Sequence, residues 1–347
     1  MKKIHVCLVS DQPIPNLTTV LQFRPDTVVL LYTSDKKAQK DRLEKVIKSK
    51  GFDVEGREIH PYGMGNVISV CESIIGACPG CEISLNITGG TKIGTLGSFQ
   101  VFYSADLPIH YVNTRDHEII QVSPEERTLP IDVRIPIKEY LAVYGFTVEN
   151  TTRDTSPILA RRAATEALRD LAIRSERSIG ILNGSFPENL EKVSFPIETN
   201  SLDAATLAIV PILERHGIAV AGRNGGLRVD TLEHANYLRG FWFEEYVYMA
   251  AKAAGTEEVA LNVVGQWEAT GKKPPRNEFD VMMSMGNRLF FISCKTSNPN
   301  RVKEGGEGIG KEFLYELDSL GDQALGLFGK KMLASARSVT DEYVKKR

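Results

Sequence analysis

Between residues 3 and 112, short apolar β-branched runs alternate with stretches of helical periodicity, and this alternation restricts the fold more than any other feature of the chain. The runs are KIHVCLVS, TVVLLYTS, FDVEGREIH, EISLNIT and LPIHYVNT; the helical stretches between them are KKAQKDRLEKVIKSKG, GNVISVCESIIGAC and GTKIGTLGSFQVFYSAD. Gly51 marks a helix end. Repeated strand-helix units of this length predict an α/β fold with a mainly parallel sheet covered on both faces, a Rossmann-like unit. HEIIQVSP and LPIDVRIP then read as a hairpin, and IKEYLAVYGF as a helix leaving the unit.

Three units are expected. The first spans 1–148 and the second, 149–232, is helix-rich and polar. The second ends in DAATLAIVPILERHGIAVAGRNGGLRVD, whose order of helix, strand, Asn-Gly-Gly turn and strand is that of a winged helix. The third, 233–347, opens with ANYLRGFWFEEYVYMAAKAAG, read as one long amphipathic helix, and continues with EVALNVVGQW and NEFDVMMSMGNRLFFISCKTS, where MGN is a hairpin turn. A length of 347 residues accommodates two or three such units.

Charge and cysteine usage narrow the partners. The 42 basic and 44 acidic residues leave a net charge of -2, so nucleic acid would have to be met locally and not by an overall basic surface. No run approaches the ~20 apolar residues of a membrane span, and the short apolar run at the N-terminus reads as a first strand, so a cytoplasmic protein without membrane contact is expected. Five cysteines argue against a disulfide framework. The Cys78-Pro79-Gly80-Cys81 pair precedes a strand, whereas a redox pair opens a helix, so it reads as a Pro-Gly turn.

In a parallel α/β sheet, ligands collect at the carboxyl ends of the strands, where helix N-termini present free amides. SLNITGGTKIGTLGSF places Asn86-Ile87-Thr88-Gly89-Gly90-Thr91-Lys92 there. Gly89 and Gly90 admit a ligand close to the backbone, Thr88 and Thr91 supply hydroxyls, Asn86 can fix the loop or a base, and Lys92 neutralises charge. An anion, foremost phosphate, suits this set. The spacing matches neither GxGxxG nor GxxxxGK[ST]. Ser10-Asp11-Gln12 and Thr33-Ser34-Asp35 end two further strands of the same sheet.

LVSDQPIPN, LLYTSD and NITGGTK resemble the CRISPR-associated Rossmann fold (CARF) sensor domain. The resemblance implies a homodimer whose paired pockets bind a cyclic oligoadenylate across the two-fold axis. Gly89, Gly90, Thr91 and Lys92 would then hold phosphates, with Ser10, Gln12 and Thr33 on ribose or base edges.

In the third unit Glu244 and Glu245 lie beside large apolar residues, and the hairpin adds Glu278 and Asp280 on one strand and Ser293, Cys294 and Lys295 on the next. Period-two alternation lets a carboxylate and a lysine converge if the strands pair. Acid, turn, then x-Lys is the arrangement of the PD-(D/E)xK nuclease fold. There, carboxylates hold Mg²⁺ or Mn²⁺ against the phosphodiester and the lysine orients the attacking water. With the sensor, GFWFEEYVY, NEFDV and ISCKTS resemble the Card/Can nucleases, single-chain CARF effectors of type III CRISPR immunity. That resemblance implies activation by cyclic tetra-adenylate and metal-dependent cleavage of DNA, RNA or both. Asp280, Lys295 and Glu244 are the expected catalytic residues. Asp280, Glu244, the backbone carbonyl of Cys294 and Glu278 are the expected metal ligands. Ser293 stands where the pattern has its second acid, and serine is a poor ligand for a hard cation. The rival expectation is a non-catalytic sensor that binds DNA through its wing.

Overall fold

The computed structural model describes residues 1–152, 154–187, 195–197, 202–222, 227–268, 274–303 and 308–346. The chain opens with β1 (Lys3–Leu8), α1 (Ile14–Phe23), β2 (Thr27–Tyr32), α2 (Lys37–Ser49), β3 (Asp53–Glu58), α3 (Met64–Gly76), β4 (Glu82–Asn86), α4 (Lys92–Ser104) and β5 (Ile109–Asn113). Two more strands, β6 (Glu118–Ser123) and β7 (Arg127–Pro130), complete a seven-stranded sheet of order β3-β2-β1-β4-β5-β6-β7. β1 to β5 pair in parallel, and β6 and β7 add antiparallel. The parallel core is the expected Rossmann-like arrangement, and its strand order reverses between β1 and β4, where such sheets form a ligand crevice.

α1 is a helix that the alternation did not announce. Its IPNLTTVLQF sequence begins on prolines, which fit a first helical turn because the N–H they lack has no partner there. The hairpin's second strand is RTLP, not the expected LPIDVRIP. The Cys78-to-Cys81 turn carries a disulfide, its Cα atoms 5.6 Å apart, within bonding reach, while Cys7, Cys71 and Cys294 are free and buried.

After α5 (Ile137–Val143) comes β8 (Phe146–Asn150), which crosses the expected boundary at 148 and pairs with a strand of the C-terminal sheet. The middle of the chain holds α6 (Ser156–Ala160), α7 (Arg162–Arg174), α8 (Glu176–Gly184), β9 (Phe195–Ile197), α9 (Ala204–Arg215), β10 (Val220–Ala221) and β11 (Leu227–Val229). β10, β11 and β9 form a small antiparallel sheet after the pattern of a wing. The Asn-Gly-Gly turn lies outside the described residues.

The C-terminal part holds α10 (Leu232–Asn236), a π turn (Tyr237–Phe241), α11 (Trp242–Ala253), β12 (Glu258–Trp267), β13 (Arg276–Met285), β14 (Arg288–Lys295), α12 (Ile309–Ala324), β15 (Lys330–Ser335) and α13 (Glu342–Lys345). The expected single long helix is therefore broken. Gly240 is extended (φ 175°), and the Thr296 hydroxyl enters the gap to donate to the Arg239 carbonyl at 3.1 Å. The sheet order is β15-β14-β13-β12-β8. The β13–β14 hairpin turns on Gly286 (φ 60°) and Asn287 (φ 52°), two positive φ values that match the strand twist.

Two apolar clusters bind these parts together. One joins α7, α8 and α9 to Trp242, Phe243, Leu261, Val281 and Ile292. The other joins Leu17, Val28 and Leu43 of the first sheet and its helices to Phe146, Val263, Phe279 and Leu289. The C-terminal sheet is thus packed against both the middle segment and the first unit.

Candidate ligand pocket and active site

At the β1/β4 crevice, Gly89 lies so close to β1 that a Cβ there would stand 2.4 Å from the Leu8 carbonyl and 3.0 Å from the Ser10 hydroxyl. Gly90 has φ 86°, a conformation that favours glycine. Thr91 caps α4, its hydroxyl accepting from Gly94 N at 3.0 Å and donating to the Pro61 carbonyl at 2.9 Å. The cap thereby pins the loop after β3, bringing exposed Tyr62 beside the N-terminus of α4. Lys92 is exposed at the first turn of α4, with no ion-pair partner among the described residues.

Other expected contacts are committed elsewhere. Asn86 is fully buried; its amide donates to Asn16 Oδ1 at 2.8 Å and its carbonyl accepts from Thr88 N and Oγ1. Of the two roles open to it, it fixes the loop and offers no base contact. Thr88 Oγ1 also accepts from Val112 N at 2.8 Å, and Thr33 is buried and donates to Asp35 at 2.6 Å, so neither hydroxyl is free. Ser10 Oγ accepts from Gln12 N at 3.2 Å, shaping the turn that aims Gln12. Gln12 has its side-chain carbonyl engaged by another part of the chain. Its Oε1 accepts from the Tyr144 hydroxyl at 3.1 Å and from Leu327 N, in the α12–β15 loop, at 2.9 Å. Tyr140 reaches the same loop, donating to the Leu325 carbonyl at 2.9 Å. The strand end beside Gly89 is therefore joined to α12.

In the C-terminal sheet, Asp280 of β13 faces Ser293 of β14: Asp280 Oδ2 accepts from Cys294 N at 2.7 Å and from Ser293 Oγ at 3.3 Å. In an extended strand the N–H and C=O of one residue point to the same edge, so the Cys294 carbonyl is also presented beside Asp280. The adjacent acids of α11 separate. Glu245 is buried and paired with Arg161 (Nε to Oε2, 3.0 Å), whereas Glu244 turns toward the hairpin. Burial, then the charges of Asp280 and Glu278, push the Glu244 carboxyl up to about 8, with Lys295 opposing. Burial also raises Asp280, with Glu316 adding to the effect and the Cys294 amide and Lys295 opposing it. Burial and Asp280 raise Glu278. Lys295 Nζ is paired at 3.0 Å with Glu316 of α12. Glu316 is the residue that sequence reasoning missed. It lies in KEFLYELDSL, a helical stretch that carries no local sign of a site.

Among the described residues, no three His, Cys, Asp or Glu side chains are already gathered as a metal cluster. The donors at hand, two partly buried carboxylates and a carbonyl, are hard oxygens that repel one another, which fits a hydrated Mg²⁺ or Mn²⁺.

Residues 4–140 match the family model of the Card1 CARF domain, and residues 232–347 that of the Card1-like endonuclease domain. Can2 from Sulfobacillus thermosulfidooxidans, solved with cyclic tetra-adenylate, is 26% identical, covers 99% of this chain and 92% of its own, and superposes with a TM-score of 0.81. Protein VC1899 from Vibrio cholerae is 23% identical, covers 99% and 91%, and has a TM-score of 0.84, a likeness of fold. A type III CRISPR defence DNA nuclease activated by cyclic oligoadenylate shares the fold at 16% identity and a TM-score of 0.56, covering 96% of this chain and 45% of its own. No curated protein matches the sequence. With a CARF model over its first sheet, an endonuclease model over its last and Can2 alike along nearly its whole length, the chain belongs to the Card1-like family of CARF-endonuclease proteins.

Proposed function

We propose that this chain is a cyclic-oligoadenylate-activated, metal-dependent nuclease of type III CRISPR defence, cutting DNA, RNA or both, with cyclic tetra-adenylate as its activator. The observation that carries the reading is Asp280 bonded to the Cys294 amide, one residue before Lys295, with Glu244 close enough for its carboxyl to be raised by Asp280. Three units are proposed: a sensor ending near residue 145, a helical and wing-bearing segment, and an endonuclease unit of PD-(D/E)xK type to which β8 adds an edge strand.

In the sensor, the Gly89-Gly90 backbone, the amides at the start of α4 and Lys92 would hold phosphates, and the exposed Tyr62 ring would stack on a base. A ring of repeated units fits a two-fold site. α4 supports a dimer by exposing Leu96 (55%) and Tyr103 (60%), the latter stacked on Phe99 with ring centroids 5.3 Å apart. Among the described residues no helix is long and apolar enough to cross a membrane, and a cytoplasmic site of action is part of the proposal.

In the endonuclease unit, Asp280 and Glu244 with the Cys294 carbonyl would hold Mg²⁺ or Mn²⁺, and Glu278 would shape the field around it. When bound, the ion polarises the phosphodiester and stabilises the charge developing on it. Lys295 would hold the attacking water against the phosphate, while the Cys294 amide fixes one oxygen of Asp280. The activator can shift the protein between states only by its differential affinity for them, and the Gln12–Leu327 contact supplies a route from pocket to α12. The test is cleavage of plasmid, single-stranded DNA and RNA with Mn²⁺ or Mg²⁺, with and without cyclic tetra-adenylate. Inactivity under every condition, with ligand-dependent DNA binding, would favour the non-catalytic regulator.

A further inference from the structure

The last strand of the C-terminal sheet ends beside the lysine of the endonuclease site. β15 runs parallel to β14 with Ser335 opposite Lys295, and Ala336 N donates to the Lys295 carbonyl at 2.9 Å. The chain then turns: Ser335 Oγ accepts from Arg337 N at 3.2 Å and donates to the Arg337 carbonyl at 2.7 Å. Beyond this turn the Arg337 guanidinium rests on α8. A Cβ at Gly180 would stand 3.0 Å from Arg337 Nη2 and 3.2 Å from Nη1, so the glycine leaves room for it. Asn183, one turn further along α8, bonds the Thr296 hydroxyl at 3.3 Å. Residues three apart lie on one helix face, so Arg337 and the residue after Lys295 meet the same face of α8.

Arg337 is half-buried, yet no acid is bonded to it. Its Nε is buried without a hydrogen-bond partner, and among the described residues neither Nη makes a hydrogen bond or an ion pair. The Nη atoms are not enclosed as Nε is, so they remain open as donors. Burial lowers the guanidinium from its ordinary value, with the charge of Glu176 opposing, and it stays protonated at neutral pH. Glu176 itself is engaged elsewhere, its Oε1 accepting from Ser338 N at 2.9 Å and from the Ser338 hydroxyl. Arg161 shows the usual arrangement of a part-buried guanidinium, bonded to both Glu245 and Glu233. Holding such a charge partly out of water without an acid costs stability, and its planar fork matches a phosphate.

We propose that Arg337 is a substrate-binding residue whose Nη atoms hold a backbone phosphate of the nucleic acid, next to the phosphate at Asp280 and Lys295. The proposal rests on the nuclease reading and adds to it where the strand runs from the site: past the end of β15, along α8. A chain of net charge -2 has to meet nucleic acid through such local cations. The contact is to the backbone, so it positions the strand without reading its sequence.

The test is anisotropy of labelled oligonucleotides, single-stranded and duplex, titrated with Asp280→Ala protein and cyclic tetra-adenylate over a series of salt concentrations. Adding Arg337→Met, which keeps an apolar stem, should weaken binding about tenfold irrespective of sequence. It should also make the slope of log K against log salt shallower by about 0.7 for the single strand or about 0.9 for the duplex, the value of one phosphate contact. Arg337→Lys should restore the slope. The melting temperature of the Met variant should equal or exceed that of its parent, because the charge it removes has no bonded partner. An unaltered slope with a parent that binds would overturn this site alone, and a Met variant that fails to fold or melts well below its parent would overturn it as a structural arginine. A parent that binds neither oligonucleotide would overturn the site together with the nuclease reading.

Discussion

The Lys295 ammonium lies 3.0 Å from the Glu316 carboxylate, tying the end of β14 to the middle of α12. Glu316 is 55% exposed, and such a pair is worth at most about 1 kcal/mol, so an incoming phosphate can displace it. Where β14 carries Ser293 in place of an acid, α12 sets a negative charge near Lys295 and Asp280. Glu316→Gln should lower stimulated cleavage by roughly tenfold, a loss of about 1.4 kcal/mol from a positioning residue. Because Glu316 raises the Asp280 pKa, its pH-rate profile should also move to lower pH. A lowered rate with an unmoved profile would reduce Glu316 to a structural role.

Glu244 gives a pH dependence with a definite sign. Its carboxyl rises from 4.5 to about 8 on folding, so the folded protein holds a proton that the unfolded chain has released between those values. That contribution to stability is full below pH 4.5 and is lost as pH rises through about 8. Metal-free protein should show a falling melting temperature across this window, and Glu244→Gln should flatten the fall. Mn²⁺ needs the charged carboxylates, so its stabilising effect should grow toward pH 8. A metal-induced shift that is the same at both ends of the window would remove Glu244 from the ligand set.

Arg161 at the start of α7 holds buried Glu245, linking the middle segment to α11. Arg161→Met would leave that carboxylate uncompensated and should cost about 3 kcal/mol in chemical denaturation. Adding Glu245→Gln should recover most of the loss. A change under about 0.5 kcal/mol would mean that the pair contributes little here.

Much of the first sheet was legible because β-branched runs and helical stretches alternate there without ambiguity. α1 was not, since prolines open it and polar residues interrupt its apolar ones. The close turn at Gly89 and Gly90 was legible in local sequence, but the contact of Gln12 was not: its side chain bonds Leu327, more than three hundred residues away in sequence. The same limit hid Glu316, whose place beside Lys295 depends on how α12 crosses the sheet. Asp280 and Lys295 were readable because strand alternation and a two-residue turn fix their register.

Gln12 and Lys92 should therefore separate in their effects. Lys92→Ala should weaken cyclic tetra-adenylate binding by about 10- to 100-fold, the value of a charge-assisted phosphate contact. Gln12→Ala should leave that affinity within about threefold, less than one ordinary hydrogen bond, and lower ligand-stimulated cleavage. Calorimetry and a cleavage assay on the same samples distinguish the two. Loss of binding in Gln12→Ala would return that side chain to the pocket.

The most direct measurement compares wild type with Asp280→Ala in Mn²⁺, with and without cyclic tetra-adenylate, following plasmid and single-strand cleavage beside calorimetric binding of the ring nucleotide. Wild type should cleave only when the ligand is present, and Asp280→Ala should not cleave although it binds the ligand as tightly as wild type. Ligand-stimulated cleavage that survives Asp280→Ala would contradict the account and place the active site elsewhere in the chain.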